Sequence, residues 1–191
     1  MSKVAIVGDP SGTGTFTISA PNGNTDRTLV LPDEAGTVLT TATAGVPVNG
    51  PAFNAYMNAT QSLSLSTLTK VAFNEERFDT NSCFDISTHR FTPTVAGYYQ
   101  VNALAYFDYS ASQYSTAAFH LYKNGAPNTL AQLANVSFYG TITLVDLVYM
   151  NGTTDYIEMY AFIEGGSGPQ LLGGGSFINR SVFAAALVRA A

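Results

Sequence analysis

The chain has a single cysteine, Cys83, and no tryptophan among its 191 residues. One thiol excludes an intrachain disulfide framework and leaves stability to packing or assembly. Cys83 has no lysine or arginine close in sequence, so it reads as a small buried hydrophobe, not a reactive group. Charge is scarce too, at 11% against 46% hydrophobic residues, and the net charge is −5. The eight Lys and Arg are scattered, which excludes the basic stripe that a phosphate backbone requires. So little charge also implies that something besides water covers part of the surface. There is no uninterrupted apolar run of about 18 residues. Nor does a basic region followed by an apolar one open the chain, so neither a spanning helix nor a secretory signal is expected, and synthesis in the cytosol is. G-x-S-x-G, P-loop and H-E-x-x-H motifs are missing. Gly12-Thr13-Gly14 and Gly173-Gly174-Gly175 lack the following helix that phosphate binding at a helix N-terminus needs.

What is present favours strands and turns: 11 Tyr, 12 Phe, 17 Gly and many Thr. Residues 1–40 contain short strands at Thr15–Ser19, Arg27–Leu31 and Thr37–Thr40, separated by Pro/Asn/Gly turns. About forty such residues cannot enclose a core alone, which points to an intertwined oligomer. Residues 41–51 form a linker of small residues with two prolines. Residues 52–191 form the head, with strands expected near 52–60, 70–78, 90–92, 97–107, 116–123, 129–135, 141–150, 155–163 and 182–190. Asn124-Gly125 and Asn151-Gly152 are turn signals. Many short strands without a helix predict an all-β antiparallel sandwich.

Alternation assigns the faces. Tyr99, Val101, Ala103, Ala105 and Phe107 share one face, and Tyr98, Gln100, Asn102, Leu104 and Tyr106 the other. Ile157, Met159, Ala161 and Ile163 oppose Tyr156, Glu158, Tyr160 and Phe162, while Ile142, Leu144, Val148 and Met150 share a face with Asp146. Aromatic faces of this size predict an interface, formed by Tyr98, Tyr106, Tyr156, Tyr160 and Phe162.

Two resemblances sharpen this reading. Phe91-Thr92-Pro93, Gly97, Tyr99 and Val101 resemble the F-T-x-x-x-x-G-x-Y-x-F/V core of the complement globular-head family, the trimeric jelly roll shared with tumour necrosis factor. Gly50–Tyr56, Lys70–Asn74, Thr154–Met159 and Ser181–Val188 follow that family's strands in order, with Thr154 and Ala185 in place of glycines and Ala186 in place of a Phe. These departures mark a distant member. The string from Gly14 to Leu39 resembles a module of bacteriophage tail-fibre and related virion proteins, G-T-F-T-I/L-x-A-P-x-x-N-T-x-R-T-L-x-L-P-D-x-x-G-T-V/L-L. The first resemblance implies a homotrimeric jelly roll. The second implies a virion protein, made in the host cytoplasm, whose residues 1–40 fasten to other virion proteins.

Chemistry is sparse. His89 in a turn and His120 in a strand have no carboxylates at metal-pair spacing. Glu75, Glu76, Asp79 and Asp85 read as a solvated edge rim. Asp108, Asp146 and Glu164 are the acids at which a calcium ion is conceivable, since some family members bind calcium through apical acids; no other cofactor is expected. If strands alternate from a base that holds both termini, the loops at the free end are 61–69, 108–115, 135–140 and 164–180. Their Tyr and Ser content resembles a binding surface. The receptor-contact candidates are therefore Tyr109, Ser112, Tyr114, Phe138, Tyr139 and Gln170. The expectation is a bacteriophage fibre or spike that binds a host-surface glycan, or else a protein, by multivalent attachment and without catalysis or membrane insertion. A purely structural capsid fibre or decoration protein is the first alternative, and a polysaccharide depolymerase the second.

Overall fold

In a computed structural model of the chain, the residues described are 11–14, 17, 50–174 and 181–191, with side chains left out for 109–112 and 136–138. The chain divides into two compact units, Met1–Val38 and Leu39–Ala191. The expected strands of residues 15–40 and nearly all of the linker lie outside the described residues.

Among the described residues the second unit contains eleven strands: β1 Ala52–Tyr56, β2 Gln61–Ser62, β3 Thr69–Lys70, β4 Glu75–Asp79, β5 Phe84–Asp85, β6 Arg90–Phe91, β7 Gly97–Lys123, β8 Ala126–Met150, β9 Ile157–Glu164, β10 Gln170–Leu171 and β11 Val182–Ala190. All pairings are antiparallel and form a jelly-roll sandwich of two sheets. The first sheet runs β4-β1-β11-β7-β8, using the early half of β7 and the late half of β8. The second runs from β8 through β7 to β9, with the late half of β7 and the early half of β8, and β3 and β6 join β9 on its far side.

One hairpin therefore serves both sheets. Its turn, Asn124-Gly125, has φ of 53° and 78°, the left-handed pair that a two-residue hairpin demands. The segments expected as loops at 108–115 and 135–140 are instead strand. Asp108 pairs with Tyr139 and Tyr109 with Phe138, and after a register shift Tyr114 pairs with Val136. The extra residues on β7 make a bulge, the usual device for turning a strand pair out of one sheet and into another. The second turn signal, Asn151-Gly152, crosses between sheets and closes no hairpin. Residues 71–74 likewise leave the expected 70–78 strand, because the chain passes there from β3 in one sheet to β4 in the other.

The alternation holds. Tyr99, Val101, Ala103, Ala105 and Phe107 are buried, as are Ile157, Met159, Ala161 and Ile163. Phe53 stacks on Phe84 and Phe91 at ring-centroid distances of 4.6 and 4.5 Å and meets Phe183 edge-on at 4.9 Å. Each fully buried Phe contributes about 1.5–3 kcal/mol, so this cluster is a principal tie between the layers. Gly97 opens β7 where a Cβ would lie 2.3 Å from the Arg189 carbonyl oxygen, so only glycine fits beside the bulge in β11.

Candidate functional site

Among the described residues, parts of the four segments expected at the free end lie together, Tyr139 of the third pairing with Asp108 of the second. Ser62 and Asp108 both pair with Gln170, the Leu63 amide donates to the Pro169 carbonyl at 2.9 Å, and the Ser66 amide donates to that of Ile163 at 2.7 Å. The Ser115 hydroxyl donates to the Glu164 carbonyl at 2.9 Å. The exposed crest consists of Ser64–Leu68 and Glu164–Gly168, with Ser66, Gly165, Gly166 and Gly168 in left-handed conformations.

The candidate contact residues are distributed differently from the expectation. Tyr114 is fully buried, and its hydroxyl donates to the Ser167 carbonyl at 2.6 Å, so it ties β7 to the crest and presents nothing to a partner in the isolated chain. Tyr139 is exposed but stands on the outer face of the first sheet, where it stacks on Tyr106 at 6.0 Å. Gln170 is half-buried within β10. Tyr109, Ser112 and Phe138 belong to β7 and β8 and not to loop tips; their side chains lie outside the described residues. The crest residue Leu65, 39% exposed, was not singled out from the sequence.

The five interface candidates occupy two opposite faces. Tyr98 and Tyr106 lie on the outer face of the first sheet, with Tyr139, Val145, Leu147, Tyr149 and Val188. Of these, Val145, Leu147 and Val188 are 58, 54 and 56% exposed, an apolar stripe that water covers poorly. Tyr156, Tyr160 and Phe162 lie on the outer face of the second sheet. There the Arg90 guanidinium sits 4.1 Å from the Tyr156 ring centre.

Beside it Glu158 is 1% exposed, although alternation places it outward. Lys70 Nζ pairs with its Oε2, Arg90 Nε donates to the same oxygen at 2.8 Å, and the Tyr160 hydroxyl donates to Oε1 at 3.2 Å. Burial raises the Glu158 pKa, but the hydrogen bonds and charges of Arg90 and Lys70 outweigh it and hold the carboxyl below its ordinary value. At the base, burial likewise works against Asp155, while the Asn124 amide at 2.8 Å and Lys123 Nζ at 2.9 Å hold its carboxyl low. These buried acids are occupied structural groups. His89 Nδ1 lies 3.0 Å from the Phe73 carbonyl, a turn contact. Asp146 accepts from Asn128 Nδ2 at 2.8 Å and from the Thr129 hydroxyl. Among the described residues, no three His, Cys, Asp or Glu side chains gather, so Asp108, Asp146 and Glu164 do not form one calcium cage. Burial pushes the Cys83 thiol upward, in keeping with a packing role.

No family model matches the chain, and no curated protein matches it. Solved structures do. The globular domain of zebrafish complement 1qA protein superposes with a TM-score of 0.54 at 20% identity, covering 72% of this chain and 97% of that one. Eiger TNF from S. frugiperda gives 0.56 at 11% identity, covering 73% and 94%, and murine APRIL at pH 5.0 gives 0.55 at 9% identity, covering 73% and 100%. At these identities the likeness is one of fold: the head is a complement-head and tumour-necrosis-factor-like jelly roll.

Proposed function

We propose that the chain is the homotrimeric, non-catalytic receptor-binding head of a bacteriophage fibre or spike, with residues 1–40 fastening it to the virion. The observation that carries the self-association is the outer face of the first sheet. Its exposed Tyr98, Tyr139, Val145, Leu147, Tyr149 and Val188 need a cover, and a second and third copy around a threefold axis supply one. The resemblance of Gly14–Leu39 to virion modules supports the attachment role. The crest of Ser64–Leu68 and Glu164–Gly168 is the surface offered to the host glycan or protein, and three copies on one rigid head gain avidity without new contacts. The burial of Tyr114 removes one aromatic anchor from that surface. That observation favours, as the second reading, a structural fibre or decoration protein whose crest meets other virion chains.

Native mass measurement of the purified chain should give a trimer that resists dilution, and Leu147→Glu, at the exposed centre of the stripe, should release folded monomers. A stable monomeric parent refutes the assembly. Labelled parent trimer should then bind susceptible bacteria saturably; if it binds none, the receptor role fails and the structural reading replaces it.

A further inference from the structure

The outer face of the second sheet holds a feature that the reading above does not use. In β7 the outward residues Thr116, Ala118, His120 and Tyr122 alternate with the buried Ala117, Phe119 and Leu121. Ala118 pairs with Gln132 on one side and Phe162 on the other, His120 with Leu130 and Tyr160, and Thr116 with Ala134 and Glu164. Ala118, 2% exposed, is thus the small central position of a grid whose flanking side chains are mostly larger. Neighbouring strands lie about 4.8 Å apart, and alternate residues along a strand about 6.7 Å apart. The result is a shallow depression of about 340 Å³ lined by Leu68, Thr116, Ala118, His120, Gln132, Phe162 and Glu164.

We propose that this depression is a binding site for one uncharged pyranose ring, on the flank of the head, sharing Leu68 and Glu164 with the crest and otherwise built from residues the crest does not contain. Its chemistry selects that occupant. Phe162 and Leu68 offer apolar surface to the C–H face of a sugar, and the rim of Thr116, His120, Gln132 and Glu164 supplies donors and acceptors to its hydroxyls. Burial lowers the His120 pKa, which keeps the ring neutral with one donor and one acceptor nitrogen. An added peptide strand is excluded, because β7 is already paired on both sides here, with β8 and β9. Anionic sugars are disfavoured by Glu164 and by the net charge of −5, while Lys70, which pairs with Tyr160 in the sheet, is taken by Glu158.

The test is a titration of the full chain with the methyl glycosides of glucose, galactose and N-acetylglucosamine, followed by ligand-observed NMR up to about 100 mM. At least one should bind saturably, with a dissociation constant on the order of 1 mM given the small contact area. Ala118→Leu fills the floor and Phe162→Ala removes the platform, and each should weaken binding tenfold or more while the circular dichroism and melting temperature stay near those of the parent. Gln132→Ala lies on the exposed surface and disturbs no core, so it tests the rim even if the other variants fold poorly; it should weaken binding several-fold. Absence of saturable binding by all three glycosides overturns the proposal. Binding unchanged in Gln132→Ala, or stronger binding of methyl glucuronoside than of the neutral sugars, does so as well.

Discussion

Replacing Glu158 with Gln tests the buried ion cluster most directly, because shape is kept and only charge is removed. Truncating one partner of a buried ion pair costs about 3–5 kcal/mol. Here the figure must be reduced, since the Lys70 and Arg90 side chains are 27 and 38% exposed and regain water once released. The Gln oxygen also still accepts from Tyr160 or Arg90. A net loss of about 1–3 kcal/mol at pH 7 follows, a fall in melting temperature of about 2–12 °C for a chain of this size. The pH dependence supplies an independent sign. The folded-state pKa of Glu158 is lowered, so its contribution is complete above the unfolded value of about 4.3 and disappears as pH falls through the folded value. Denaturant titrations from pH 7 to pH 3 at one chain concentration should therefore show parent and variant separated at neutral pH and converging in acid. Equal stability at pH 7, or a constant gap down to pH 3, refutes the assignment. Asp155 titrates in both chains, so the difference between them isolates Glu158.

Two substitutions test the packing. Tyr114→Phe removes the hydroxyl that meets the Ser167 carbonyl and should cost about 1–2 kcal/mol in denaturant titrations, whereas Tyr114→Ala should cost about 3–5 kcal/mol by leaving a cavity; a neutral Tyr114→Ala contradicts the burial. Gly97→Ala drives a methyl against the Arg189 carbonyl and should destabilise by about 1–3 kcal/mol or more, seen as a lower melting temperature with an unchanged circular dichroism spectrum.

The parts of the fold that the sequence made legible are those written in side-chain alternation. Tyr99 through Phe107 and Ile157 through Ile163 show which face is buried because period two is a property of each strand by itself. The run Asp108–Ser115 was illegible for the opposite reason. Its polar, small composition reads as a loop, yet strand pairing is a contact between backbones, and β8 supplies partners through a bulge that no side-chain pattern announces. Tyr114 misled in the same way, since a tyrosine among serines resembles a contact surface until the chain folds the 164–168 segment over it. Glu158 read only as one more residue of an outward aromatic face, because Lys70 and Arg90 arrive from distant segments. The depression over Ala118 left one trace, an alanine between Thr116 and His120 on an outward face, but its meaning depended on learning that Gln132 and Phe162 flank it.

The hairpin shared by the two sheets also sets an order of assembly. Its first rung, Lys123 with Ala126, closes next to the Asn124-Gly125 turn, and each later rung out to Gly97 with Met150 extends a ladder already begun. Closure entropy is thus met in small steps, and one local zippering event lays down two strands of each sheet. The pairing of β1 with β11, Ala52 with Ala186, joins segments separated by most of the head and gains little until that scaffold exists. Because β11 lies between β1 and β7, β4 and β1 cannot join the first sheet until β11 has been made.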